Sequence, residues 1–517
     1  MFDLLIQGGE VHDGGGGLAR RADVAITGER IAALGDFSGA EARVQLKAEG
    51  QIVCPGFIDV HSHSDTFILL EPTAPSKIFQ GVTTEIVGNC GASTAPRQGA
   101  YKMPTDWREK NYPGTWSSVA DYRALLAQVQ PALNIALLIG HNSVRAGVIG
   151  YDARAATAGE IRAMCALLDR TLAEGGAGLS TGLIYTPGLY SLPEEVRALA
   201  EVAARHGKIY TSHMRSEGDQ LLEALDETLA IGRATGVRVQ VSHLKTAGRR
   251  NWTKLDAALK KIRAAQADGV RVAADRYPYT ASCTDLDVIL PDWAAGDGRE
   301  TVLARLRDEA TRKRLRAELV NDTDWVTIMV GSLTHPDLEQ FRGKMLTEIA
   351  AALGLEPVDA ALHLLDVDEL RPSGIFFGMS EENMWRILAE PWVMIGSDAS
   401  IRALTGPLAV DFPHPRAFGT FPKLLRAALD GKTVPLPEMI RKMTSLPADQ
   451  FQLKDRGRLA VGAYADVVVF DPQAIRDRAT FAEPRQYAAG ISHVIVNGCP
   501  TLRDGAFAGP RAGRFLD

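Results

Sequence analysis

Cysteine is scarce in this chain. Five are scattered through 517 residues, an odd number and too few for a disulfide scaffold, and they fit free thiols in a reducing compartment. An excess of positive charge is also missing. The formal net charge is −6, which argues against a nucleic-acid partner, although a local basic pocket remains compatible with it. No apolar run approaches the ~18 residues of a membrane-spanning helix, so no membrane partner is expected. The start, Met1-Phe2-Asp3-Leu4-Leu5-Ile6, meets an acid at once and reaches Gly8-Gly9. It has neither the basic stretch nor the cleavage site of a signal peptide, so the expected location is cytoplasmic. Internal repeats and low-complexity segments are absent. The glycine run Gly14–Gly17 lacks the Lys-Ser/Thr pair and following helix of a phosphate loop.

What is present is a globular composition, 46% hydrophobic and 23% charged, in a chain too long for one ordinary core. The first fifty-odd residues read as short strands, Phe2–Gln7, Asp23–Thr27, Arg30–Leu34 and Gln51–Cys54. Near the other end Ala465–Phe470 and His493–Val496 are β-rich, with Asn497-Gly498 as a hairpin signal. Between them eight short apolar runs alternate with helical stretches: Phe57–Val60, Thr84–Val87, Asn134–Ile139, Gly178–Thr181, Ile209–Ser212, Val237–Ser242, Val270–Ala274 and Trp392–Gly396. Alternation at this pitch predicts a parallel sheet, and eight runs favour a closed (β/α)₈ barrel over a doubly wound sheet. The expected organisation is a small β-sandwich made from residues 1–55 plus 455–517 around a barrel over 56–454, with an insertion near the barrel mouth at 285–372.

Metal-binding side chains collect where those runs end. Gly56-Phe57-Ile58-Asp59-Val60 leads into His61-Ser62-His63; alternate residues of a strand share a face, so both imidazoles can address one ion. Cys90 follows the second run, His213 the fifth, His243 the sixth and Asp398 the eighth. Four of the 11 histidines lie in this set, and in a barrel the C-terminal strand ends form one face. His141 ends the third run and is a candidate to support the ligands from behind. His12, His206, His335, His363, His414 and His493 lack a strand-end partner and read as surface or capping residues, and Cys54, Cys165 and Cys499 as packing thiols.

His-x-His after the first strand, single histidines after the fifth and sixth, and an aspartate after the eighth resemble the amidohydrolase superfamily. The bridging lysine of many two-metal members is missing after the fourth strand, where Ser180-Thr181-Gly182-Leu183-Ile184-Tyr185 stands. Gly88-Asn89-Cys90-Gly91 is instead similar to the N-acyl-D-amino-acid deacylase (D-aminoacylase) family. So are Gly81-Val82-Thr83-Thr84, Ser212-His213-Met214-Arg215-Ser216-Glu217, Ser242-His243-Leu244-Lys245, Tyr277-Pro278-Tyr279 and Gly396-Ser397-Asp398. The resemblance implies a tight Zn²⁺ on Cys90, His213 and His243, a second, weaker position lined by His61 and His63, and Asp398 as the proton carrier. It implies an N-acyl-D-amino acid as small-molecule substrate, its carboxylate gripped by Lys245, Tyr185 and Tyr277. Where the family has a serine this chain has Cys283, with Ser282 adjacent, and a thiol is a poor donor. Asp285 and Asp287, at the start of the insertion, tilt the expected side chain toward neutral residues. Three other readings stay open at this stage: a cyclic-amide hydrolase, a dipeptidase acting on D-residues, and a metal-retaining protein without catalysis.

Overall fold

The computed structural model describes residues 1–104, 107 and 110–517. Eight parallel strands form its centre: Phe57–Asp59, Val82–Val87, Asn134–Gly140, Gly178–Gly182, Ile209–His213, Arg238–Val241, Val272–Arg276 and Val393–Ile395. They are counted below as the first to eighth barrel strands. Nearly all their residues are buried, because helices cover the outside and side chains fill the inside. The first and eighth strands meet through Val60 N–H to Ile395 O (3.5 Å), Asp398 N–H to His61 O (2.7 Å) and a Ser62–Ala399 parallel bridge, which closes the barrel.

Helices alternate with these strands where amphipathic stretches carry their own start and stop signals. Val119–Val129 and Ala158–Ala173 begin in reciprocal capping boxes, Ser118 with Asp121 and Thr157 with Glu160. Leu221–Thr235 stops at Gly236, whose φ of 67° suits a residue without a Cβ.

Both ends of the chain share one nine-stranded sheet. Ile52–Pro55 joins them, parallel to Phe2–Val11 and antiparallel to Val467–Phe470. Period-two alternation splits that last strand between two cores. Val467 and Val469 pack with Leu4, Ile6, Val24 and Ile26 inside the sheet module, while Val468 and Phe470 pack into the barrel's core. Val496 pairs with Cys499 across Asn497-Gly498, whose φ values of 49° and 78° are those of a tight hairpin turn.

Two elements differ from expectation. The N-terminal strand Phe2–Val11 runs on past Gln7 because the register shifts between Ile6 and Gly9; Gly8 takes φ 75° in this bulge. Ala42–Lys47 is a further strand, edge-like, with polar residues outward, so its weak apolar signal hid it. Between the seventh and eighth barrel strands, Ser373–Phe377 pairs antiparallel with both Ala281–Asp285 and Ile328–Val330. Helices such as Arg299–Arg307 and Pro357–Val367 cover this small sheet with a separate apolar core around Leu286, Leu306 and Leu364. Among the described residues no helix is long and apolar enough to cross a membrane.

At Gly498 a Cβ would stand 2.0 Å from the carbonyl oxygen of Gly28. Gly498→Ala is therefore expected to lower the thermal midpoint by about 3 °C or more; an unchanged melting curve would contradict the tight apposition of the terminal strands.

Candidate metal centre

The site lies at the C-terminal ends of the barrel strands. His61 and His63 follow the first strand with side chains on one side, ring centroids 5.4 Å apart. After the second strand the chain turns sharply. Gly88 has φ 78° and a Cβ there would stand 2.1 Å from Leu138 O; Cys90 itself has φ 54°. Ser180 of the fourth strand holds this turn, its hydroxyl donating to Gly88 O and accepting from Gly91 N–H (3.2 Å). The turn carries Cys90 Sγ to 3.2 Å from His61 Nε2 and 3.5 Å from His243 Nε2. His243 Nε2 is 3.0 Å from His213 Nδ1.

Two donor groups result, each with all its ligand atoms within 4.8 Å of one another: Cys90, His213 and His243, and His61, His63, Cys90 and Asp398. Cys90 belongs to both. Asp398 Oδ1 lies 3.1 Å from His63 Nε2 and 3.4 Å from His61 Nε2, and Oδ2 accepts from Arg416 Nη1 at 2.7 Å.

The far sides of the imidazoles meet carboxylates. His243 Nδ1 is 2.7 Å from Glu217 Oε1, and His61 Nδ1 is 3.2 Å from Asp275 Oδ1. Such partners fix the ring orientation and raise ligand basicity. Asp275 also accepts from His243 N–H (2.9 Å) and Gln240 Nε2 (2.6 Å), tying the sixth and seventh strands to the first.

Burial alone would push the Cys90 thiol up, but the His61 and His213 imidazoles, with hydrogen bonds from His213 and His243, hold it well below the usual thiol range. Burial would likewise raise Asp398; Arg416, His61, His243 and the bond from His63 hold it well below the usual carboxylate range. His63 is depressed by burial, yet its bond to Asp398 and its closeness to Cys90 bring it up to about 9. A thiolate with two imidazoles is a donor set suited to zinc, so Cys90, His213 and His243 fit a divalent cation.

The other expected residues surround this centre. Lys245 is buried; its Nζ meets Glu217 Oε1 at 2.5 Å and His243 Nδ1 at 2.7 Å, so its charge is already engaged. Tyr185 packs edge-on to His213, centroids 4.9 Å apart, and its hydroxyl meets Thr284 Oγ1 at 3.0 Å. The ring of Tyr277 lies between the guanidinium groups of Arg276 (4.3 Å) and Arg416 (4.7 Å). Its buried hydroxyl has no hydrogen-bond partner among the described residues. Cys283 is half-buried, its thiol pushed up to about 11 by burial against the pull of Arg416, and its carbonyl accepts from Arg416 Nη2 at 3.0 Å. Ser282, next along the same strand, faces the opposite side. Asp285 is exposed; Asp287 is half-buried and raised to about 6 by burial.

His141 is buried but pairs with Glu195 at 2.7 Å, away from the donors. His335 caps the short helix Pro336–Phe341, accepting from Asp337 N–H; His414 is instead buried, its ring between Arg416 N–H and Ala281 O. His12 and His493 correct the surface reading, being 4% and 3% exposed, because terminal strands that look like edges are covered here. Sequence reasoning gave no role to Asp275, Glu217 or Arg416. The signal for Asp275 was an acid inside the apolar run Val272–Arg276. Arg416 opens a helix far beyond Asp398 and carries no local signal.

The chain is similar to known proteins along its whole length. The Amidohydrolase family model matches residues 47–501. The chain is 40% identical to an N-acyl-D-glutamate deacylase of Alcaligenes xylosoxydans xylosoxydans, covering 100% of this chain and 96% of the relative. An N-acyl-D-glutamate deacylase from Bordetella bronchiseptica, solved with zinc and a phosphonate mimic of the tetrahedral intermediate, matches with TM-score 0.86 and 36% identity over 100% and 99% of the two chains. A D-aminoacylase whose binuclear metal centre is described as activated by one metal and attenuated by the second matches with TM-score 0.84 and 38% identity over 100% of both chains.

Asp275 orients the His61 imidazole and holds the His243 backbone, so Asp275→Ala is expected to weaken zinc binding by about 10- to 100-fold in a chelator competition. Unchanged affinity would separate Asp275 from the metal centre. The match across nearly the whole chain, together with donors at five strand ends, makes this protein a member of the amidohydrolase family.

Proposed function

We propose that the protein hydrolyses the amide bond of N-acyl-D-amino acids, releasing a carboxylic acid and a free D-amino acid. The observation that carries this reading is the convergence of Cys90 Sγ, His243 Nε2 and His213 Nδ1, with Asp398 on the far side of the shared thiolate. Cys90, His213 and His243 would hold one tight zinc, and His61 and His63 with Asp398 would line a second, weaker position. The bound metal supplies Lewis acidity, lowering the pKa of water and polarising the amide carbonyl.

The protein's own groups move the proton and hold the substrate. Asp398, ionised by its cationic neighbours, accepts the proton of the attacking water and later delivers it to the departing amine nitrogen. Arg416 keeps that carboxylate aimed between His61 and His63. Lys245, with Tyr185, Tyr277 and the Cys283 segment, meets the substrate carboxylate, which displaces Glu217 as the partner of the ammonium. Burying this arrangement excludes bulk water and strengthens each charge interaction. A cyclic-amide hydrolase is disfavoured by the absence of a lysine after the fourth strand and by the thiolate in its stead. Asp287, three residues beyond the Tyr185–Thr284 contact, favours neutral over acidic side chains.

A panel of N-acetyl D- and L-amino acids with zinc-replete protein tests the reading. Turnover is expected for neutral D-substrates such as N-acetyl-D-leucine, with the L-enantiomers and hydantoins inert; hydantoin turnover alone would overturn it. Asp398→Asn is expected to retain zinc and lose turnover by about 10³-fold or more, whereas near-normal kcat would remove Asp398 from proton transfer. Lys245→Ala should raise KM for N-acyl amino acids about tenfold and leave a neutral amide analogue little changed; equal effects on both would contradict a carboxylate contact.

A further inference from the structure

The closing seam of the barrel has little backbone ladder. Among the described residues the first and eighth strands share one parallel bridge and two backbone bonds. Side chains fill the rest. Lys77, from the short helix Pro75–Ile78, is fully buried. Its Nζ donates to Asp59 Oδ2 (2.7 Å), Ser397 Oγ (2.8 Å) and Ala399 O (2.9 Å), and stands 2.9 Å from Glu85 Oε1. All three ammonium hydrogens are thus used. Asp59 accepts in turn from Ser397 N–H (2.8 Å), Ser397 Oγ (2.6 Å) and His61 N–H (3.2 Å).

This cluster converges on the two neighbours of a single residue. Ser397 and Ala399 flank Asp398, and both are bound by Lys77. Asp398 has φ 53°, a left-handed conformation that a residue with a Cβ keeps only where its surroundings over-determine it. Seam closure by itself does not call for a buried ammonium between two carboxylates, because apolar residues of similar volume close such a gap at least as well. The cluster also reaches His61 through Asp59, so one ammonium ties the carboxylate of the eighth strand to a metal donor of the first.

We infer that Lys77 is a positioning residue for the reaction, holding Asp398 over the first-strand histidines through Ser397 and Ala399. The inference rests on the role of Asp398 proposed above, and the test separates the two. Zinc content, kcat and KM for N-acetyl-D-leucine are measured for Ser397→Ala, Lys77→Met and Asp398→Asn. Ser397→Ala removes one hydroxyl and carries the test whether or not Lys77→Met folds. Its kcat is expected to fall about tenfold with KM and zinc content within about twofold of the parent, and folded Lys77→Met to fall about 100-fold in kcat. Added to Asp398→Asn, Ser397→Ala should cause no further loss, since both act through one carboxylate. Unchanged kcat in Ser397→Ala, or a loss expressed in KM or zinc content instead, would overturn the positioning role while leaving Asp398 in place. Near-normal turnover by Asp398→Asn would overturn the proton-carrier reading itself.

Discussion

The structure depends on a buried thiolate shared between two sets of imidazoles. Burial opposes the negative charge of Cys90, and only the surrounding histidines make it favourable. Each of those rings must therefore be presented with a chosen nitrogen inward. Glu217 behind His243 and Asp275 behind His61 do this, and Asp275 binds the His243 backbone as well. The centre is thus a layered arrangement, with a thiolate and Asp398 inside, imidazole rings around them, and carboxylates behind His61 and His243.

That arrangement governs the backbone. Cys90, His243 and Asp398 all have positive φ, which residues with a Cβ rarely adopt. Each is pinned from a neighbouring strand: Cys90 through the Ser180 contacts with its flanking glycines, His243 by Asp275, and Asp398 by its bond to His61 O and by Arg416. The barrel's parallel ladder supplies the rigid frame, and the strain sits at the strand ends where donors must turn inward.

Much of this was legible in the sequence. The eight barrel strands stand out because both their faces are buried, giving continuous apolar runs bounded by helical periodicity. The donors stand out because histidine, cysteine and aspartate at the ends of such runs have few structural reasons to be there. What stayed hidden acts through space. Arg416 reaches Asp398 from a helix whose start looks ordinary, and Lys77 resembles a solvated charge in Pro75-Ser76-Lys77-Ile78 yet is fully buried. The bulge at Gly8-Gly9 and the polar edge strand Ala42–Lys47 escaped because period-two reasoning has no signal where the register slips or one face is wet.

The (β/α)₈ frame serves many chemistries, so the functional reading stands on the donor set and not on the fold. Its most direct test is zinc X-ray absorption on protein loaded with one equivalent of metal. A shell of one sulfur near ~2.3 Å with nitrogen or oxygen ligands near ~2.0 Å is the predicted result. A shell of nitrogen and oxygen alone would mean that Cys90 does not bind the metal, and would contradict the account.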